Sequence, residues 1–127
     1  MRKKCCGEGE MNLPDDVAAS LGACGGIEGL RGSLSSDGSR RKVASQHAAL
    51  SDPIRLYLLE SLQYCDLCPC VLREIAGLTN SKLSYHLRLL EEADLITWRQ
   101  SGNWRVYSLT PAGRISLIGL RKAEEKR

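Results

Sequence analysis

Apolar and polar positions alternate with helical spacing from Ser39 onward. Val43, Ala44, His47, Ala48 and Leu50 mark one face of an amphipathic helix that closes at Ser51-Asp52-Pro53. The same residues open the next helix. Asp52 or Ser51 can cap it, Pro53 suits its first position, and Ile54, Leu58, Leu59 and Leu62 form its apolar stripe. After a loop through Tyr64 and Cys65, a short helix is expected over residues 69 to 76. Val71, Leu72 and Ile75 should point inward there, and Gly77 can take the left-handed ending conformation. Thr79 or Asn80 then caps a longer helix reaching about Ala93, in which Leu83, Leu87 and Leu90 follow the i, i+4, i+7 rule. Two β-branched and aromatic runs, Ile96 to Gln100 and Trp104 to Leu109, flank Ser101-Gly102-Asn103 and predict a hairpin. Thr110-Pro111 starts a final helix carrying Ile115 and Ile118. Short helix, turn, polar-faced helix and hairpin make a mainly α fold with one small β-hairpin, a winged helix-turn-helix.

Upstream the pattern fades. Residues 1–38 are rich in Gly, Ser and charge and lack sustained apolar periodicity, so they are expected to form a largely disordered tail, with one short helix over residues 14 to 21 as its only regular piece. Residues 39–127 are then the folded DNA-binding domain. The chain has 127 residues, a net charge of +3 and no Phe, so Leu and Ile must build a modest core. No apolar run approaches a membrane span, and the first residues do not resemble a signal peptide, which points to a cytoplasmic protein. In that setting six cysteines suggest metal or redox duty rather than a disulfide framework.

The longer helix has a polar face opposite its leucines. Ser81, Tyr85, Arg88 and Glu92 point away from the core, with Lys82 and Ser84 on the flanks. Its place after the turn and before the wing makes Asn80, Ser81, Lys82, Ser84, Tyr85 and Arg88 candidates for base edges and phosphates. Arg99 and Arg105 flank the hairpin turn as candidate backbone or minor-groove contacts. His86 lies beside the leucine stripe, as a core-edge or phosphate-bonding histidine. Arg40-Arg41-Lys42 is read as a solvated helix start.

Cys65, Cys68 and Cys70 precede this reading unit directly. Thiolates are soft ligands that take Zn(II), Cu(I), Cd(II) and, by the same argument, arsenite. Pro69 puts Cys68 at the cap and Cys70 in the first turn. Side chains two apart on a helix do not face each other, so one ion shared by both is expected to distort that turn. Trivalent arsenic takes three thiolates, whereas tetrahedral metals need a fourth ligand. The thiols could instead form a redox trigger, with a Cys65–Cys68 disulfide releasing DNA. An oxidoreductase or small metal protein using Cys65-x-x-Cys68 would call for a βαβ setting, and helices surround the pair here. No other catalytic arrangement is visible, so the chain is read as a non-enzyme.

Leu50-Ser-Asp-Pro-Ile-Arg-Leu56, Cys68-Pro-Cys70, Ser84-Tyr-His-Leu-Arg-Leu-Leu-Glu91, Gly102-Asn-Trp104 and Tyr107-Ser-Leu-Thr-Pro111 together resemble the ArsR/SmtB family of metal-responsive repressors, most closely its arsenite-sensing type. The likeness spans about residues 43 to 120. It implies a homodimer built on the first and last helices of the domain, bound to operator DNA when metal-free and released when thiolates capture an inducer. The inducer would be As(III), with Cd(II), Pb(II) or Zn(II) as alternatives. The family's Cys-x-Cys pair corresponds to Cys68 and Cys70. Where the arsenite-sensing form carries a further cysteine, this chain has Arg73. Cys65 could supply the third sulfur, or Cys5 and Cys6 could do so from the partner subunit's tail, as in some sensors of the family. Cys24 has no assigned role. From Pro111 onward there is no His, so the family's other site, on the last helix, has no counterpart.

Overall fold

A computed structural model describes residues 11–125, so Cys5 and Cys6 lie outside the described residues. The chain divides into two compact units between Asp37 and Gly38. The first contains α1 (Asp15–Ala23) and α2 (Gly26–Ser33), joined through Gly25, whose φ of 85° is a conformation that glycine adopts without strain. Two helices therefore stand where the sequence suggested a mostly disordered tail. Neither buries a residue, and Val17, Ile27 and Leu30 stay exposed.

The second unit contains most of α3 (Asp37–Ala49), then α4 (Pro53–Tyr64), α5 (Pro69–Ala76), α6 (Asn80–Glu92), β1 (Ile96–Ser101), β2 (Trp104–Leu109), α7 (Pro111–Ser116) and α8 (Ile118–Glu125). Side-chain caps start α4, α6 and α7 where the sequence placed them. Asp52 Oδ1 accepts from the Ile54 amide at 2.7 Å, Thr79 Oγ1 from the Lys82 amide at 3.2 Å, and Thr110 Oγ1 from the Gly113 amide at 3.0 Å. Gly77 ends α5 at φ 64°. The strands pair antiparallel from Ile96 opposite Leu109 to Ser101 opposite Trp104, with Gly102 at φ 60° in the turn. Leu58, Leu59, Leu62, Leu72, Leu83, Leu87, Leu90, Leu95 and Ile96 form one leucine-rich core joining α4, α5, α6 and the hairpin.

Three expectations need correction. Within α5 only Leu72 is buried, because a two-turn helix turns one narrow stripe inward; Val71 and Ile75 face out. The apolar side of α3 is exposed except for Ala49, and Val43 stands 50% accessible. The last helix is two helices: the Leu117 amide bonds back to Arg114 in a tighter turn, and Leu117 drops into the core.

Candidate thiol site and nucleic-acid interface

Cys68 caps α5 with extended dihedrals, φ −83° and ψ 159°, so it stands outside the helix whose first turn holds Cys70. Freed from helical geometry, its side chain swings across Pro69, and the two sulfurs meet at 2.8 Å. The expected distortion on sharing an ion is therefore not required, since the spacing rule applies only inside a helix. Hydrogen bonding from the Cys70 thiol, and next from the Val71 amide, holds Cys68 below the ordinary thiol range. Cys70 is pushed above it, first by the hydrogen bond with Cys68 and next by desolvation. Both are free thiols, with Cys68 half-buried and Cys70 exposed. Cys65 ends α4 in an extended conformation and is exposed, as is Cys24 at the end of α1. Among the described residues no three His, Cys, Asp or Glu side chains are placed to hold one metal ion. The fold thus brings Cys68 and Cys70 together and leaves Cys65 apart from a three-ligand cluster.

The loop bearing Cys65 and Cys68 is fastened to the wing. Leu67 forms an antiparallel bridge with Tyr107 of β2, and Asp66 holds Arg99 of β1 at 3.3 Å. Below the thiols, Leu72 joins Leu83 and Leu87 in the core, so α5 and α6 share one apolar seam. Arg73, in place of a further cysteine, donates to Asn80 Oδ1 at 2.9 Å and ties the end of α5 to the start of α6.

Asn80, Ser81, Lys82, Ser84, Tyr85, Arg88, Arg99 and Arg105 are all exposed. Asn80 is engaged by Arg73, and Arg99 by Asp66. Arg88 reaches toward Glu92 at 3.9 Å, with its guanidinium 5.8 Å from the Tyr85 ring centre. Arg105 stacks 3.8 Å above the Trp98 ring, and Trp98 Nε1 donates to Glu91 at 2.9 Å, which ties the wing to α6. Between α5, α6 and the wing lies a cleft of about 530 Å³ with Pro69 at one side and Arg88 and Arg105 at another. Cations therefore line the wing and the outer face of α6, as a duplex requires. His86 is buried and bonded to Arg55, which settles it as a core residue rather than a phosphate contact. Sequence reading passed over Arg55, Asp66, Leu67 and Trp98. A charged residue on the apolar side of α4 was the available sign for Arg55.

The family model of bacterial regulatory proteins of the arsR family matches residues 52–97. The arsenical resistance operon repressor of Bacillus subtilis is 44% identical over 70 residues, which cover 54% of this chain and 67% of that protein. This chain belongs to the ArsR family. Membership makes it a transcriptional regulator and sets aside the enzyme readings of Cys65 and Cys68. A crystal structure of a possible transcriptional regulator for arsenical resistance matches with a TM-score of 0.53 and 32% identity, over 62% of this ArsR-family chain and 82% of that one. The solution structure of a homodimeric winged helix-turn-helix DNA-binding domain from Mycobacterium bovis matches with a TM-score of 0.66 over 74% of this chain and 92% of that one. At 21% identity it supports the fold alone. No helix among the described residues is long and apolar enough to cross a membrane.

Proposed function

We propose that this ArsR-family chain is a cytoplasmic homodimeric repressor that leaves its operator when thiolates capture a soft metal or metalloid, foremost arsenite. The observation carrying this reading is the 2.8 Å thiol pair at the head of α5, directly above the seam with α6. Neutral arsenous acid would exchange three As–O bonds for three As–S bonds, releasing three waters. Cys68 and Cys70 supply two of the sulfurs. The third comes from Cys65, by movement of its loop, or from Cys5 or Cys6 of the partner subunit's tail. Cd(II), Pb(II) and Zn(II) compete for the same thiols and need further ligands.

Residues 39–127 act as the DNA-binding domain, and residues 1–38 serve as a tail that carries thiols. The exposed apolar face of α3 at Val43, with Ile115 and Ile118 on the last two helices, suits closure against a second copy. Two α6 helices set about 34 Å apart would then read a palindrome in successive major grooves. Arsenic capture draws on the head of α5 and the loop before it, tilting α6 and the wing together. A coupling of about 1 to 3 kcal/mol weakens operator binding roughly 5- to 150-fold. Because Cys68 meets Cys70 rather than Cys65, a Cys65–Cys68 disulfide switch is the less supported alternative.

The test is the double substitution Cys68→Ser with Cys70→Ser, assayed by gel shift against the promoter fragment beside the gene. DNA binding should persist while arsenite-driven release disappears. Release of the double variant at wild-type arsenite concentration would refute the site. Release by diamide in metal-free buffer, reversed by reductant, would favour the disulfide instead.

A further inference from the structure

Buried beneath the reading face is a polar pair the thiol mechanism does not use. Arg55, in the first turn of α4, is 8% accessible, and His86, midway along α6, is 7% accessible. Burying a guanidinium is costly unless its N–H groups are satisfied. Here Nε donates to the carbonyl of Ala49, the last residue of α3, at 2.6 Å. That carbonyl belongs to the unpaired, electronegative end of a helix, which favours a cation. A terminal nitrogen of Arg55 lies 3.2 Å from His86 Nδ1, and Asp52 Oδ2 stands 3.8 Å from the same group. No buried side-chain N or O among the described residues is left without a partner.

Arginine has donors and no acceptor. His86 Nδ1 must therefore offer its lone pair, which makes the ring the neutral Nε2–H tautomer. The His86 ring also meets the Tyr85 ring edge-on, with centres 5.2 Å apart and planes at 67°. Tyr85 is half exposed on the face of α6 that the repressor reading turns toward DNA, and Arg88 lies over it. A continuous path thus runs from the end of α3, through Arg55 and His86, to the groove-facing side chains.

We propose that Arg55 and His86 are positioning residues for operator recognition: Arg55, anchored on the Ala49 carbonyl, fixes the rotation of α6 through His86 Nδ1 and so sets Tyr85 and Arg88. The proposal rests on α6 being the reading helix. It differs from a packing role because it needs an acceptor at one atom, not merely a filled volume.

The experiment uses the full chain, with a duplex selected by the wild-type protein from a random library. His86→Leu fills similar space without an acceptor and should weaken binding of that duplex about tenfold. His86→Asn places an amide oxygen near the Nδ1 position and should return binding to within about threefold of wild type. Thermal unfolding is followed on both variants, and nitrogen NMR of the wild-type ring should show an unprotonated Nδ1 accepting a hydrogen bond. Equal losses for the Leu and Asn variants, wild-type affinity for the Leu variant, or a protonated Nδ1 would overturn the proposal. If the wild-type chain retains no duplex at all, the repressor reading fails and takes the positioning role with it. The ring signal still reports the Arg55 tie separately.

Discussion

Leu67 and Tyr107 exchange two backbone hydrogen bonds: the Leu67 amide donates to the Tyr107 carbonyl at 3.1 Å, and the Tyr107 amide returns one at 2.8 Å. Leu67 stands between Cys65 and Cys68, and Tyr107 is buried in the strand that forms the wing. A loop that moves to bring Cys65 toward the other thiols must strain or break this bridge. The wing is thereby joined to the thiol site by backbone, alongside the side-chain seam between α5 and α6.

The neighbouring ion pair gives the first prediction. Asp66 occupies Arg99, a candidate phosphate contact, at 3.3 Å on an exposed surface. Asp66→Asn frees that cation and removes a negative charge, so operator affinity should rise by about 2- to 5-fold at low salt, with the gain fading as salt screens it. Arg99→Ala should lower affinity for every duplex and flatten the salt dependence by about one unit. Fluorescence anisotropy across a salt series reads both, and an unchanged slope for Arg99→Ala would remove it from the interface.

Thiol ionisation gives the second. Cys68 is held low chiefly by the Cys70 thiol, and Cys70 is raised in return. The pair should release its first proton below the ordinary thiol range and its second above it. As pH rises, the first thiolate appears early, so alkylation at Cys68 gains its rate below the ordinary thiol range. In Cys70→Ala the main stabilising hydrogen bond is gone, and the Cys68 profile should move to higher pH. Mass-resolved alkylation over a pH series checks this; an unmoved profile would mean the two sulfurs do not share a proton.

Arg88 gives the third. It is exposed on the outer face of α6, beside Glu92 and over the Tyr85 ring. Arg88→Ala should cost roughly 1 to 3 kcal/mol of operator binding and relax sequence preference at one position. Selection from a randomised duplex pool would show the broadened position, whereas a uniform loss across sequences would make Arg88 a phosphate contact.

A fourth concerns stability alone. A Cβ on Gly113 would run into the backbone carbonyl oxygen of Leu95. That carbonyl is already held by the Thr110 amide at 3.1 Å and cannot easily yield. Gly113→Ala should therefore destabilise the domain by about 1 to 3 kcal/mol, read as a lower urea midpoint with unchanged slope.

The reading unit was legible because its signals are local. Caps at Asp52, Thr79 and Thr110, the leucine spacing of α6 and the turn at Gly102 each act within a few residues, and all lie where the sequence put them. What escaped depends on distance or on one dihedral. The meeting of Cys68 with Cys70 follows from the extended backbone of a cap residue. The Asp66–Arg99 and Arg55–His86 contacts join residues 33 and 31 positions apart, beyond the reach of any local pattern. Val43 was legible as apolar but not as uncovered, because the surface that would cover it is not supplied by the described residues of its own unit.

Ile115 and Ile118, 66% and 48% accessible at the junction of α7 and α8, carry a consequence for gene dosage. On the homodimer reading, the species that occupies DNA is formed by collision of two copies. Below the dissociation midpoint, halving the supply of polypeptide leaves about a quarter of the assembled form. Control would then sharpen with expression level, so a cell diluting this regulator during growth would lose silencing abruptly rather than in proportion.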